Sequence, residues 1–181
     1  MKGNPVVFGD FMVHPEYCGL SQYELHRLSL DSRFNFQIAT LEEGGHNVLM
    51  VYYSGALAYM RMKYRLHVSE AKKGIVPGTE PPKAVRIGRL WVLPLVCYEL
   101  LFPEDYWQAC QNRPDLIIHL VGTPMHSEEQ REGWTALQRL LVYVCECPLV
   151  CCCGGESGRM NLSGVLRPND KEGHRDVLSS L

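Results

Sequence analysis

The sequence has no apolar run long enough to cross a bilayer. Its longest, LWVLPLVCY (90–98) and LIIHLVG (116–122), fall well short of the roughly 20 residues a spanning helix requires. The opening MKGNPVVFGD lacks the apolar core of a secretion signal, which predicts a cytoplasmic protein. Neither charge is in excess: 18 Lys+Arg face 20 Asp+Glu, a formal net charge of −2 at pH 7. Basic residues are scattered, without a stripe carrying interleaved aromatics, so nucleic acid is excluded as the expected partner. No internal repeat, low-complexity tract or linker divides the 181 residues, and a single domain over 1–181 is expected.

Apolar residues make up 46% of the chain, a globular composition able to build a substantial core. Cysteine is plentiful, at eight residues, and without an export signal these read as free thiols rather than a disulfide framework. The dense CECPLVCCC (145–153) lacks the paired spacing of a zinc site, so no metal or cofactor is expected. In a strand, Cys151 and Cys153 would share one face and Cys152 the other, as small apolar fillers.

Strand and helix patterns alternate along the chain. PVVFGDFMVHPE reads as a strand ending at a Pro-Glu corner, and LSQYELHRLSLDSR as a helix. FNFQIATLE is a strand, and HNVLMVYYSGALAYMRMKY a hairpin turning at Ser54-Gly55. After the loop GIVPGTEPP, KAVRIGRLWVLPLVCYE reads as a strand pair running into Cys97. PEDYWQACQNR is a short helix with Pro103 in its first turn. PDLIIHLVGT and PLVCCCGGE are buried strands, SEEQREGWTALQRLLVYVCE is the clearest helix, and LSGVLRPNDK holds a last short strand. The alternation argues for an α/β layered fold.

Chemistry concentrates in PLVCYELLFPEDYW (94–107). Cys97 stands where an apolar run meets a polar, helix-forming segment; such a cysteine is either a buried filler or a nucleophile at a strand-to-helix turn. Glu16 could be a solvated strand end. Lys63 competes with Arg61, Arg65 and Lys72 as surface charge. Glu70 could be a loop carboxylate. Glu99 and Glu104 read as structural or pocket-shaping, while Tyr17, Trp107 and Trp134 are core or pocket aromatics. His119 and His126 flank the end of the next strand and offer a Cys–His pair with Cys97.

Three segments together resemble the nitrilase (carbon–nitrogen hydrolase) superfamily. VHPEYCGLS resembles its glutamate motif. The stretch from Asn47 through Gly55, Lys63, Leu66 and Glu70 resembles its lysine motif, and PLVCYELLFPED its nucleophile elbow. RPDLIIHLVGTP and GRMNLSGVLRPNDK match weaker segments in the same order, so the resemblance runs from about Phe11 to about Lys171. It implies a layered α-β-β-α sandwich, abbreviated at both ends, since only about ten residues precede the Pro-Glu corner.

By that resemblance Glu16 is the general base, Lys63 the cationic stabiliser, Cys97 the nucleophile and Glu70 a second glutamate beside the lysine. The backbone N–H of Tyr98 joins Lys63 at the oxyanion. Lys63 would favour the thiolate, and a helix starting just beyond Cys97 would direct its dipole there. The function implied is thiol-dependent hydrolysis of a small amide, carbamoyl or nitrile compound, without a cofactor. The elbow is most similar to the apolipoprotein N-acyltransferase branch, so acyl transfer to an amine is an alternative; a catalytically silent module of the same fold is another. Leu101 replaces the arginine usual before Phe-Pro-Glu. Missing edge strands would favour a homodimer or higher oligomer.

Overall fold

The structure, a computed structural model, describes residues 6–8, 11–16, 21–30, 36–122, 125–154 and 162–168. Two five-stranded sheets form its centre. The first has the order β1 (Val6–Phe8), β2 (Phe11–Val13), β3 (Phe36–Glu43), β4 (His46–Tyr53), β5 (Ala56–Met62). The Pro-Glu corner is preceded not by one strand but by the antiparallel pair β1–β2, with Val6 opposite Val13 and Phe8 opposite Phe11. Two apolar triplets around a Gly-Asp pair carry a hairpin signal that a single-strand reading overlooks. β2 then runs parallel to β3, while β3–β4 and β4–β5 are hairpins.

The second sheet has the order β10 (Gly164–Leu166), β9 (Leu149–Cys153), β8 (Leu116–Val121), β7 (Leu90–Val96), β6 (Val85–Ile87). Its three middle strands are parallel and its edges antiparallel. Parallel neighbours need crossovers. Helix α3 (Pro103–Gln111) joins β7 to β8, and α4 (Glu128–Cys145) joins β8 to β9.

Alternation of side chains builds three apolar layers. Phe36, Ile38, Leu49 and Val51 of the first sheet meet Val92, Ile118, Leu120, Val150 and Cys152 of the second. On the second sheet's other face, Ile117, Val121, Cys151 and Cys153 pack with Leu141, Val142 and Cys145 of α4. Cys152 therefore points opposite to its neighbours, as the strand period requires. The first sheet's outer face buries Ala39, Leu41, Val48, Met50 and Tyr52 with Leu25 of α1 (Gln22–Ser29). That helix starts at a capping box: Ser21 Oγ accepts from the Glu24 N–H at 3.2 Å, and Glu24 Oε2 from the Ser21 N–H at 2.8 Å. The order of layers is α-β-β-α, as expected. Each fully buried aliphatic side chain contributes roughly 1.5–3 kcal/mol, so the two sheets are held face to face by their own alternation.

Candidate active site

Three strand ends and the start of a short helix meet at one cavity. Glu16 follows β2 at the Pro15 corner, where the His14 N–H donates to Ile38 O at 2.8 Å and continues the pairing with β3. Lys63 is the first residue after β5. Its N–H donates to Asn47 O at 2.7 Å, and its carbonyl accepts from the Gly78 N–H at 2.8 Å. Glu70 lies in the first turn of α2 (Val68–Lys72), where its Oε2 accepts from the His67 N–H at 2.6 Å. Cys97 ends β7.

Lys63, Glu16 and Glu70 are buried together. The Lys63 Nζ donates to Glu16 Oε1 at 2.7 Å and to both oxygens of Glu70 at 3.0 Å. Asn47 donates from Nδ2 to Glu16 Oε1 at 2.6 Å and to Glu70 Oε1 at 3.1 Å. With Cys97 and Tyr98, these three charged side chains line a cavity of about 280 Å³. Its other wall is Leu101, Met125 and Trp134, with His126 and Gln130 also lining it.

One ammonium faces two carboxylates here, and that imbalance sets the protonation of the site. Burial pushes the Glu16 carboxyl above the usual carboxylate range; Glu70 adds to this, while Lys63 and Asn47 oppose it. Burial disfavours the charge of Lys63, yet Glu16, Cys97 and Glu70 together outweigh it and hold the ammonium above the usual lysine range. The Cys97 thiol is pushed well above its ordinary value by burial and by the Glu16 charge. Lys63 and the Gly122 backbone only partly offset this. Lys63 favours the thiolate, as expected, but its charge is shared with two carboxylates and does not outweigh burial. The resting sulfur keeps its proton, hydrogen-bonded to Glu16.

The turn at Cys97 also differs from expectation. Residues Cys97–Leu101 form a 3₁₀ turn, and the α-helix begins only at Pro103, so no long helix directs its dipole at the sulfur. Cys97 itself sits at φ +48°, in the left-handed region, a strain of about 1–2 kcal/mol for a residue with a Cβ. Tyr98 is the second residue of the turn, a position whose N–H has no partner within the helix.

Other candidates are sorted by the fold. Trp134 lines the cavity and stacks on the His119 ring at 5.5 Å between centroids. His119 is buried; its Nε2 lies 3.2 Å from the carbonyl oxygen of Cys97 and its Nδ1 2.8 Å from Gln138 Nε2, so its ring engages the Cys97 backbone. Trp107 lies elsewhere, in the apolar groove between α3 and α4, and Glu104 is exposed. Tyr17 lies outside the described residues. Gly122, Met125, His126 and Gln130, between β8 and the first turn of α4, line this cavity. The 72–82 loop packs Gly78 on the backbone around Lys63 and lines a separate cavity through Pro81 and Pro82.

Arg61 is the clearest miss. Grouped by sequence with surface charges, it is 5% exposed and paired with Glu99, which is wholly buried. The available signal was phase: Arg61 and Lys63 are two apart at the end of a strand, so burying one side chain points the other the same way. Asn47, placed by sequence at the start of the lysine motif without a role of its own, bonds both Glu16 and Glu70. Among the described residues, no group of His, Cys, Asp or Glu is arranged to hold a metal ion, and no helix is long and apolar enough to cross a membrane.

No family model and no curated protein matches the chain by sequence. Solved structures match it by fold. An amidase from Nesterenkonia sp. AN1, in a structure showing Michael addition of acrylamide at the active-site cysteine, aligns with a TM-score of 0.72 at 18% identity. The alignment covers 92% of this chain and 74% of that one. A further structure of that amidase, described as from the nitrilase superfamily, aligns at 0.70 and 19% identity, covering 92% and 71%. A carbon–nitrogen hydrolase from Helicobacter pylori G27 aligns at 0.63 and 18% identity, covering 78% of this chain and 60% of that one. The chain has the fold of these nitrilase-superfamily amidases.

Proposed function

We propose that this chain is a thiol-dependent amidohydrolase that cleaves the C–N bond of a small amide, carbamoyl or nitrile compound through a cysteine thioester. For an amide, the Cys97 thiol gives its proton to the Glu16 carboxylate as the sulfur attacks the carbonyl carbon. The oxyanion formed is met by the Lys63 ammonium and the Tyr98 backbone N–H. Glu16 returns the proton to the departing amine and a thioester remains. Glu16 then takes a proton from water, the resulting hydroxide attacks the thioester, and the acid is released as the thiol is restored. Glu70 and Asn47 hold Lys63 and Glu16 in place throughout.

A base with a raised pKa suits this cycle, because the group must both accept and return a proton near neutrality. The observation that carries the reading is the convergence of Glu16, Lys63, Glu70 and Cys97, from four separate segments, on one cavity. Its volume admits a small amide. The fold's amidase relatives, one of them bearing acrylamide on its active-site cysteine, support the same reaction class.

The reading includes a self-associating cytoplasmic protein. Exposed Leu140, Tyr143 and Trp107 on α3 and α4 leave apolar surface for a second copy to cover. The seven described cysteines are free thiols, which fits a reducing compartment.

The test is ammonia release from a panel of small amides, with intact-mass detection of an acyl adduct. Cys97→Ala is expected to lower turnover about a thousandfold or more while the protein stays folded. Full activity in that variant would sink the assignment. Added amines that capture the acyl group in place of water would turn the reaction to N-acyl transfer. A wild-type protein that forms no adduct with any panel member would be a silent member of the fold.

A further inference from the structure

Two charged side chains beside the cavity take no part in the reaction above. Arg61 and Glu99 are buried and joined at two points, Nη1 to Oε1 at 2.6 Å and Nη2 to Oε2 at 2.5 Å. Each Glu99 oxygen accepts a second bond from backbone: Oε1 from the Tyr64 N–H at 2.8 Å, and Oε2 from the Val96 N–H at 2.8 Å. Arg61 in turn donates to Met62 O at 3.3 Å and to Pro94 O at 3.1 Å. The backbone groups engaged flank the site on both sides. Met62 and Tyr64 bracket Lys63, and Val96 immediately precedes Cys97.

The two strands concerned belong to different sheets. β5 is an edge of the first sheet, and β7 lies inside the second. Apolar packing between sheets is non-directional and tolerates sliding, whereas a planar two-point pair is not satisfied after a small shift. The same carboxylate also holds the peptide N–H just ahead of the left-handed Cys97.

We propose that Arg61 and Glu99 are positioning residues that set the spacing between the Lys63 ammonium and the Cys97 sulfur, by tying the end of β5 to the end of β7. The proposal rests on the assignment of Lys63 and Cys97 above. A buried ion pair contributes little net stability against uncharged residues of similar volume. Its removal as a pair is therefore expected to disturb geometry more than folding. Lysine keeps the charge at position 61 but cannot span both carboxylate oxygens.

Two variants test this, Arg61→Lys and the double variant Arg61→Met/Glu99→Gln. Each is measured by thermal unfolding, by the rate of acrylamide addition at Cys97 followed by intact mass and peptide mapping, and by kcat and KM on an amide substrate. Both variants are expected to fold, to add acrylamide about tenfold to a hundredfold more slowly, and to lose kcat with KM little changed, the effect of a misplacement of about 1 Å. Folded variants that react at the wild-type rate would overturn the positioning role. So would failure of both to fold, which would make the pair a stability element. Lys63→Met and Glu16→Gln separate the two levels of inference. If neither slows acrylamide addition, the site assignment falls and the positioning role with it; if they slow it and the Arg61 and Glu99 variants do not, the positioning role alone is refuted.

Discussion

Lys63 is the residue on which the site's electrostatics turn, because it is the cation held between Glu16 and Glu70. Lys63→Met would leave two buried carboxylates near each other without it. Removing one partner of a buried pair costs about 3–5 kcal/mol at neutral pH. The two carboxyls are then driven to higher pKa, so the stability they oppose returns as they are protonated. Denaturant melts of the variant should therefore recover toward wild type as pH falls, and a loss independent of pH would contradict the arrangement. Glu16 makes a second prediction. In the proposed cycle Glu16 must be ionised to take the thiol proton, and its pKa is raised by burial. Activity is thus present above that pKa and lost as pH falls through it, with the acid limb of kcat/KM above the usual carboxylate range. A limb at an ordinary glutamate value would show that another group limits the reaction. That Glu16, Lys63, Glu70 and Cys97 would come together on one cavity could be read from motifs, because motifs carry residue types. Their protonation could not, because desolvation has no signature in a linear pattern.

At the scale of elements, the end of β5 is set by contacts from outside its own sheet. Gly78 lies so close to it that an added Cβ would stand 2.6 Å from Met62 O and 2.9 Å from Met62 Cβ. Gly78→Ala must push the 72–82 loop away and break the bond from the Gly78 N–H to Lys63 O. Overpacking of this kind costs about 1–3 kcal/mol. A drop of that size in urea unfolding is expected, with turnover reduced beyond what the unfolded fraction explains; unchanged turnover would place the loop outside the site's support. The hairpin of β4 and β5 was readable in advance, since Ser54 at φ +48° and Gly55 at φ +79° supply the two left-handed positions of a tight turn. The 3₁₀ turn at Cys97 was not. In that turn Glu99 accepts from the Val96 N–H and pairs with Arg61 from the other sheet, contacts that no local pattern announces.

Among the described residues, one helical face is left incompletely covered. Leu140 is 58% exposed, Tyr143 77% and Trp107 48%. Sedimentation is expected to show concentration-dependent self-association, with Leu140→Glu shifting the population toward monomer and leaving the melting temperature nearly unchanged. A wild-type protein that stays monomeric at high concentration would count against a dimer through this face.

The alternation of strands and helices and the α-β-β-α layering were legible in the sequence itself, apart from the β1–β2 pair and α2. Both depend on local periodicity, turn chemistry and residue type, which act over a few positions. Tertiary structure alone decided that Arg61 is buried, that burial pushes the Cys97 thiol above its ordinary range, and that His119 meets the Cys97 backbone. Each depends on partners far away along the chain: Glu99 stands 38 positions from Arg61. The dielectric around a side chain is set by what folds over it, and that is a property of the packed sheets rather than of any segment within them.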